Sequence, residues 1–160
     1  MIDNVSKKQK IILRMTAVEL INALRRHKIS ASELLEMTIT YAEGVSKKNT
    51  CFTVKLYNSA RCAAKNSDIL LLINSLSKQE LCGPLCGLPI TISDSQWLSG
   101  IICTNGGKRQ KKLRPNENYV TVRSLEEAGA IIFAKTKHTE FNLINAMTRP
   151  EFIRSLITFI

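Results

Sequence analysis

The sequence has 160 residues, 44% of them hydrophobic, and carries 23 Lys and Arg against 13 Asp and Glu for a formal charge of +10. That length and composition allow one modest domain and exclude a collagenous or disordered chain. No apolar run approaches the roughly 20 residues that span a bilayer, and Ile11, Ile12 and Leu13 before Arg14 are too short a core for a signal peptide. The reading is of an intracellular, cytoplasmic protein without a membrane span. Its charge attracts nucleic acid or acidic surfaces without specifying either. The five cysteines, Cys51, Cys62, Cys82, Cys86 and Cys103, include no Cys-x-x-Cys pair, which argues against a disulfide scaffold or a zinc ribbon. Neither a metal nor a cofactor is expected.

In chain order, residues 1–15 read as a flexible basic arm. Thr16 and Glu19 form a capping box ahead of Leu20, Ile21 and Leu24, so a helix starts there and ends near Arg25, Arg26 or His27, where cations suit the helix dipole. His27 is read as structural. Ser30 and Glu33 repeat the device for a helix bearing Leu34, Leu35, Met37, Thr38 and Tyr41, with Gly44 as its stop. Asn49 to Leu56 reads as a strand. Ser59 to Leu76 reads as a helix that turns Ala60, Ala63, Ala64 and Ile69 to Ile73 inward.

The stretch Gly83 to Asp94, Gly-Pro-Leu-Cys-Gly-Leu-Pro-Ile-Thr-Ile-Ser-Asp, organises the rest. Gly-containing turns flank a β-branched strand from Leu88 to Ile92 that ends at Ser93 and Asp94. The end of a buried strand is where α/β proteins place chemistry. Further on, Lys108, Arg109, Lys111, Lys112 and Arg114 make a dense basic run, read as a solvated loop and a candidate nucleic-acid contact. Asn118 is a fair cap for a helix over Tyr119 to Ala128 with Val120, Val122, Leu125 and Ala128 near one face, closed by Gly129. Ala130 to Ala134 suits a buried parallel strand, and helix followed by buried strand marks an α/β sheet.

The Gly83–Asp94 motif resembles that of the amidase signature family, which reads Gly-Pro-Leu-x-Gly-(Val/Ile)-Pro-(Val/Ile)-x-(Val/Ile)-Lys-Asp. Further matches lie in the Thr16–Leu34 hairpin, in Gly100, Thr104 and Gly106, and in Leu125, Ala128, Gly129, Ala130, Lys135, Thr136, Glu140 and Phe141. The resemblance implies an α/β chain, the N-terminal part of that fold with helices packed on a mixed sheet. It places the amidase portion over residues 16–148 and a divergent tail over 149–160.

The resemblance also implies hydrolysis of amide bonds by a Ser, cis-Ser, Lys triad, in which a neutral lysine draws the serine proton and backbone amides hold the oxyanion. At the lysine position this chain has Ser93, next to Asp94, and the two serines of the triad are absent before Ile160. No catalytic residue is therefore intact, and the expected state is an inactive fragment or pseudoenzyme. The alternative is a non-catalytic interaction or scaffold protein on the same fold. Ser93 and Asp94 with His138 lack the spacing of another triad, and Lys135 is read as a tie between the strand end and its surroundings. An unfinished sheet exposes an edge, so a protein partner that covers it is a further expectation.

Overall fold

The computed structural model describes residues 11–46, 51–77, 81–107 and 113–137. Helix α1 (Ala17–Arg25) begins at the capping box read from the sequence: Thr16 accepts from the Glu19 amide, and the Glu19 carboxylate accepts from the Thr16 amide at 2.7 Å. His27 follows it with φ 51°, a left-handed turn that stops the helix. Helix α2 (Ala31–Ser46) has a stronger start than the local motif. Ser30 Oγ accepts from the Glu33 amide at 3.0 Å, and Asp68 accepts from the amides of Ala31 and Ser32 at 2.6 and 3.2 Å. The carboxylate thus meets the positive end of the helix from another element. Gly44 does not end α2, which continues to Ser46. A glycine costs a helix about 1 kcal/mol, less than the burial of Leu34, Leu35, Met37, Ile39 and Ala42 returns along the same helix.

Strand β1 (Phe52–Lys55) leads into helix α3 (Tyr57–Ser77). Ala60, Ala64, Ser67 and Leu71 are its buried positions. The inward set read from the sequence is corrected here, because Ala63, Ile69, Leu72 and Ile73 face solvent. A helix against one layer buries about one residue in three or four, so a run of five apolar residues cannot all turn inward.

Strand β2 (Pro89–Ser93) is followed by a long loop, helix α4 (Val120–Glu127) and strand β3 (Ile131–Thr136). Asn118 is not the cap of α4. Tyr119 occupies that position without a side-chain bond, while Asn118 accepts from the Ser99 amide at 2.7 Å and donates to Glu126. Val120 is exposed and Val122 is buried. Gly129, at φ 88°, closes the helix as read.

Among the described residues the sheet has the order β1-β3-β2, with β3 antiparallel to β1 and parallel to β2. Register pairs Ile92 with Lys135 and Ser93 with Thr136, and an irregularity falls between Ile90 and Thr91. One face carries the main core, in which Leu24, Leu34, Leu35, Ala60, Ala64 and Phe133 pack together. The other carries a smaller cluster of Ile92, Val122 and Ile132. Helices α1 to α3 and helix α4 thus lie on opposite faces of a mixed sheet.

The turn before β2 fits against the α4–β3 junction. Leu85 and Gly87 amides donate to the carbonyls of Ala128 and Gly129 at 2.8 and 3.1 Å. A Cβ on Gly83 would stand 2.5 Å from the Ala128 carbonyl oxygen, so only glycine lets the two backbones approach. Cys82 and Cys86 are joined as a disulfide across this turn, with Cα atoms 5.7 Å apart. The cysteine reading is corrected to that extent: there is no scaffold of bridges, but one local pair that no Cys-x-x-Cys motif announces.

This packing can be tested at two glycines. Gly83→Ala lowers stability by about 2 kcal/mol or more, the scale of a core packing defect, whereas Gly44→Ala, with nothing within 4 Å of the added Cβ, raises it by about 0.5–1 kcal/mol. Urea unfolding midpoints of the two variants should move in opposite directions. A second test concerns Tyr57, whose hydroxyl donates to Glu43 at 2.6 Å. Burial first, and then the bond to and charge of Glu43, push its phenol pKa up from 10.0. The native state therefore keeps a proton that the unfolded chain releases, so this contribution is present below about pH 10 and lost as pH rises further. Stability measured from pH 9 to 11 should fall more steeply in the wild type than in Tyr57→Phe.

Candidate functional site

Strand β2 delivers Ser93 and Asp94 to the C-terminal end of the sheet, as the sequence pattern requires. Their side chains then part. Alternation along a strand sends successive residues to opposite faces, and the register sets Ile92 beside Lys135 and Ser93 beside Thr136. Ser93 keeps a half-buried hydroxyl within 3.0 Å of the Ser95 hydroxyl. The Ser95 amide also approaches it, at 3.4 Å. This is a turn of small hydroxyl side chains just past a strand, with no basic group bonded to Ser93 Oγ among the described residues.

Asp94 is fully buried and gathers several segments. Its amide donates to the Thr136 carbonyl at 2.9 Å, which extends the β2–β3 ladder by one bond. Its Oδ2 accepts from the Thr104 amide at 3.0 Å and from the Thr104 hydroxyl in a short contact. The Cys103 thiol donates to the Asp94 carbonyl at 3.0 Å. Lys135, likewise with 0% side-chain exposure, holds its ammonium 3.6 Å from Asp94 Oδ1 and donates to the Ile102 carbonyl at 3.0 Å. Oδ1 itself has no hydrogen-bond partner among the described residues. Its compensation is therefore the charge of Lys135, and a buried ion pair of this kind depends on both members being present.

Thr104, Cys103 and Lys135 thus converge on Asp94, and Ile102 holds Lys135 in turn, which pins the loop that follows β2. Farther along, the Gly100 amide donates to the Pro115 carbonyl at 2.8 Å and the Cys103 amide to the Leu113 carbonyl at 3.0 Å. Arg114, the described member of the basic run, is exposed and donates to the Gly100 carbonyl at 2.8 Å. Lys108, Arg109, Lys111 and Lys112 lie outside the described residues, as do His138, Glu140, Phe141 and residues 149–160. A groove between α3 and the loop is lined by Ala60, Ala63, Ser67, Leu98, Ile101 and Ile132, and includes none of Ser93, Asp94 or Lys135. Among the described residues, no cluster of His, Cys, Asp and Glu has a metal-binding arrangement.

The ion pair was half legible. Lys135 reads as a tie at the strand end, but its partner was not named. The signal was available: a lysine closing the apolar run Ile131–Ala134 needs a counter-charge, and Asp94 is the acid at the end of the run that pairs with it.

Replacing Lys135 by Met leaves the Asp94 carboxylate buried without its counter-ion and should cost about 3–5 kcal/mol. Adding Asp94→Asn, which keeps an acceptor for Thr104, should recover a substantial part of that loss. Equal unfolding free energies for the single and double variants would show that the two side chains do not interact as an ion pair.

A profile of the family described as Amidase matches residues 33–154. The chain is 30% identical over 130 residues to one of the subunits of the glutamyl-tRNA(Gln) amidotransferase of Lachnospira eligens, covering 81% of this chain and 26% of that protein. It is 27% identical over 130 residues to an amidase of Pseudomonas putida, again covering 81% of this chain and 26% of the relative. The fold is similar to that of a solved fatty acid amide hydrolase, with a TM-score of 0.73 at 21% identity, over 82% of this chain and 22% of that one. The chain spans about a quarter of the length of the curated relatives it matches. With a profile match over most of its length, and the helices and mixed sheet that the Gly83–Asp94 motif implies, this chain belongs to the amidase family.

Proposed function

We propose that residues 16–148 are the N-terminal part of an amidase-fold unit whose lineage hydrolyses amide carbon–nitrogen bonds, and that the chain does not carry out that reaction with serine at position 93. The names of the relatives, an amidase and an amidotransferase component, support the reaction class. One observation carries the loss of activity: the hydroxyl that stands at the lysine position is bonded to Ser95 and, among the described residues, to no base. A serine hydroxyl is not a base near neutral pH, whereas a lysine amine with a depressed pKa is one. Lys135 does not replace it, because that ammonium is held by Asp94 and by the Ile102 carbonyl on the other face of the sheet.

A second reading, a scaffold that binds another protein, has its own support. Ile69, Leu72, Ile73 and Leu76 form an exposed i, i+3, i+4, i+7 stripe on α3, the pattern by which a helix meets a partner. In this reading the basic run Lys108 to Arg114 is the contact that the charge pattern favours, and salt would weaken binding where those charges contribute.

The test uses the chain joined to the serine-bearing remainder of an amidase, assayed by ammonia release from benzamide. The Ser93 form should not exceed the buffer blank, and Ser93→Lys should raise the rate at least about a hundredfold, the scale of one positioned acid–base group. Hydrolysis by the Ser93 form within about tenfold of the Ser93→Lys rate would overturn the proposal.

A further inference from the structure

The turn from Cys82 to Gly87 holds a pair of sulfurs that the proposed chemistry leaves unused. The two Cα atoms are 5.7 Å apart, within the span that one disulfide bridges without backbone movement. Cys86 is buried against the main core, and Cys82 is half-buried at its edge. Cys82 is thus the less buried of the two and the one that a small reagent would meet first, with Cys86 reached through it. Cys62, by contrast, is an exposed thiol on α3 outside any disulfide.

The bridge is not what shapes the turn. Backbone bonds already do so: Cys86 amide to Gly83 carbonyl at 3.1 Å, Leu88 amide to Leu85 carbonyl at 3.0 Å, and the two bonds to Ala128 and Gly129. The link also closes a loop of only a few residues, where cross-linking removes the least freedom from the unfolded chain. Oxidised and reduced chains can thus both hold the fold, which is the condition for a reversible pair rather than a permanent staple. The position gives the bond a consequence. A Cβ on Gly129 would lie 2.9 Å from Cys86 Cα, so the α4–β3 junction rests directly on the bridged residue. The Ile131 amide, which opens β3, donates to the Leu88 carbonyl at 2.8 Å just beyond it.

We propose that Cys82 and Cys86 form a reversible thiol–disulfide site that exchanges with low-molecular-weight disulfides of the glutathione class and sets how tightly the Cys82–Gly87 turn grips the α4–β3 junction. In the oxidising direction the Cys82 thiolate attacks one sulfur of the oxidised reagent, forms a mixed disulfide and expels one thiolate. The Cys86 thiolate then attacks the Cys82 sulfur and expels the second. Two protein thiols lose two electrons and two protons, and the reagent disulfide takes up both to become two thiols. The site does not depend on whether the chain hydrolyses amides.

The experiment equilibrates the full chain in mixtures of reduced and oxidised glutathione, quenches with acid, labels thiols with a maleimide and weighs the peptide that contains both residues. The doubly labelled form should give way to an unlabelled form lighter by two hydrogens than the dithiol, in one step spanning about two decades of oxidised over squared reduced glutathione. Cys62 should only gain and lose adducts. In Cys82→Ser, and in Cys82→Ala as a second variant, the internal bridge should vanish and Cys86 should stay a thiol or carry glutathione. Hydrogen exchange of the Leu85 and Gly87 amides should be about tenfold faster in the reduced wild type than in the oxidised one. A pair whose labelling is the same at both ends of the series, or whose two thiols titrate independently, overturns the exchange site. Equal exchange rates in the two wild-type states overturn the coupling to the junction.

Discussion

The contact between Lys135 and Asp94 is the constraint on which the C-terminal end of this sheet depends. Neither side chain has any exposure, so both charges have left water. That desolvation is tolerable only because they face each other and because the surrounding polar groups are committed to them. Ile102 supplies a carbonyl to the ammonium, and Thr104 supplies an amide and a hydroxyl to the carboxylate. Each contact comes from the loop between β2 and α4, so the loop is positioned by the charges and the charges are compensated by the loop. The pair also joins the middle strand to the end of its parallel neighbour, where the register sets Ile92 against Lys135.

The opposite end of β2 is held by different means. There the turn over Gly83–Gly87 and the junction at Ala128–Gly129 meet backbone to backbone, with side chains removed by glycine at the points of closest approach. Such contact transmits displacement well because the interior is close-packed and compresses little. The strand is thus gripped at its start by main-chain bonds and at its end by an ion pair. Between the grips its side chains divide, Ile90 and Ile92 contributing to the small cluster under α4.

Local signals were legible where the physics is local. Thr16 with Glu19, the closing Gly129 and the buried run over Ile131–Ala134 each need only a few neighbouring residues to be interpreted. Long-range capping was not: Asp68 reaches the amide of Ala31, a partner 37 residues away, and no window along the sequence connects them. Asn118 failed as a cap for the same reason, since Ser99 and Glu126 compete for its amide. The error at α3 has another origin. Every position of Ile69–Ile73 is apolar, with no polar residue to show which side is covered, so periodicity left the buried residue, Leu71, unmarked. At the site, the strand end and its Ser93–Asp94 pair followed from the motif. The disulfide and the Thr104 clamp did not, because a turn's closure depends on backbone angles that composition does not encode.

The parting of Ser93 from Asp94 bears on what the serine could do. A hydroxyl becomes a nucleophile when a neighbouring base takes its proton, and the buried amine at this strand end among the described residues, that of Lys135, is on the face that it shares with Ile92. Moving Lys135 toward Ser93 would require withdrawing it from Asp94, leaving a buried carboxylate whose Oδ1 has no hydrogen-bond donor among the described residues. That cost, about 3–5 kcal/mol for an unpaired buried charge, exceeds what a hydrogen bond between an ammonium and a serine hydroxyl returns, about 1.5–3 kcal/mol. The ion pair that builds the strand end therefore also keeps its lysine from serving as a base. An amine at position 93 would not face this conflict, since it would leave the Lys135–Asp94 pair intact and add its own group on the opposite face.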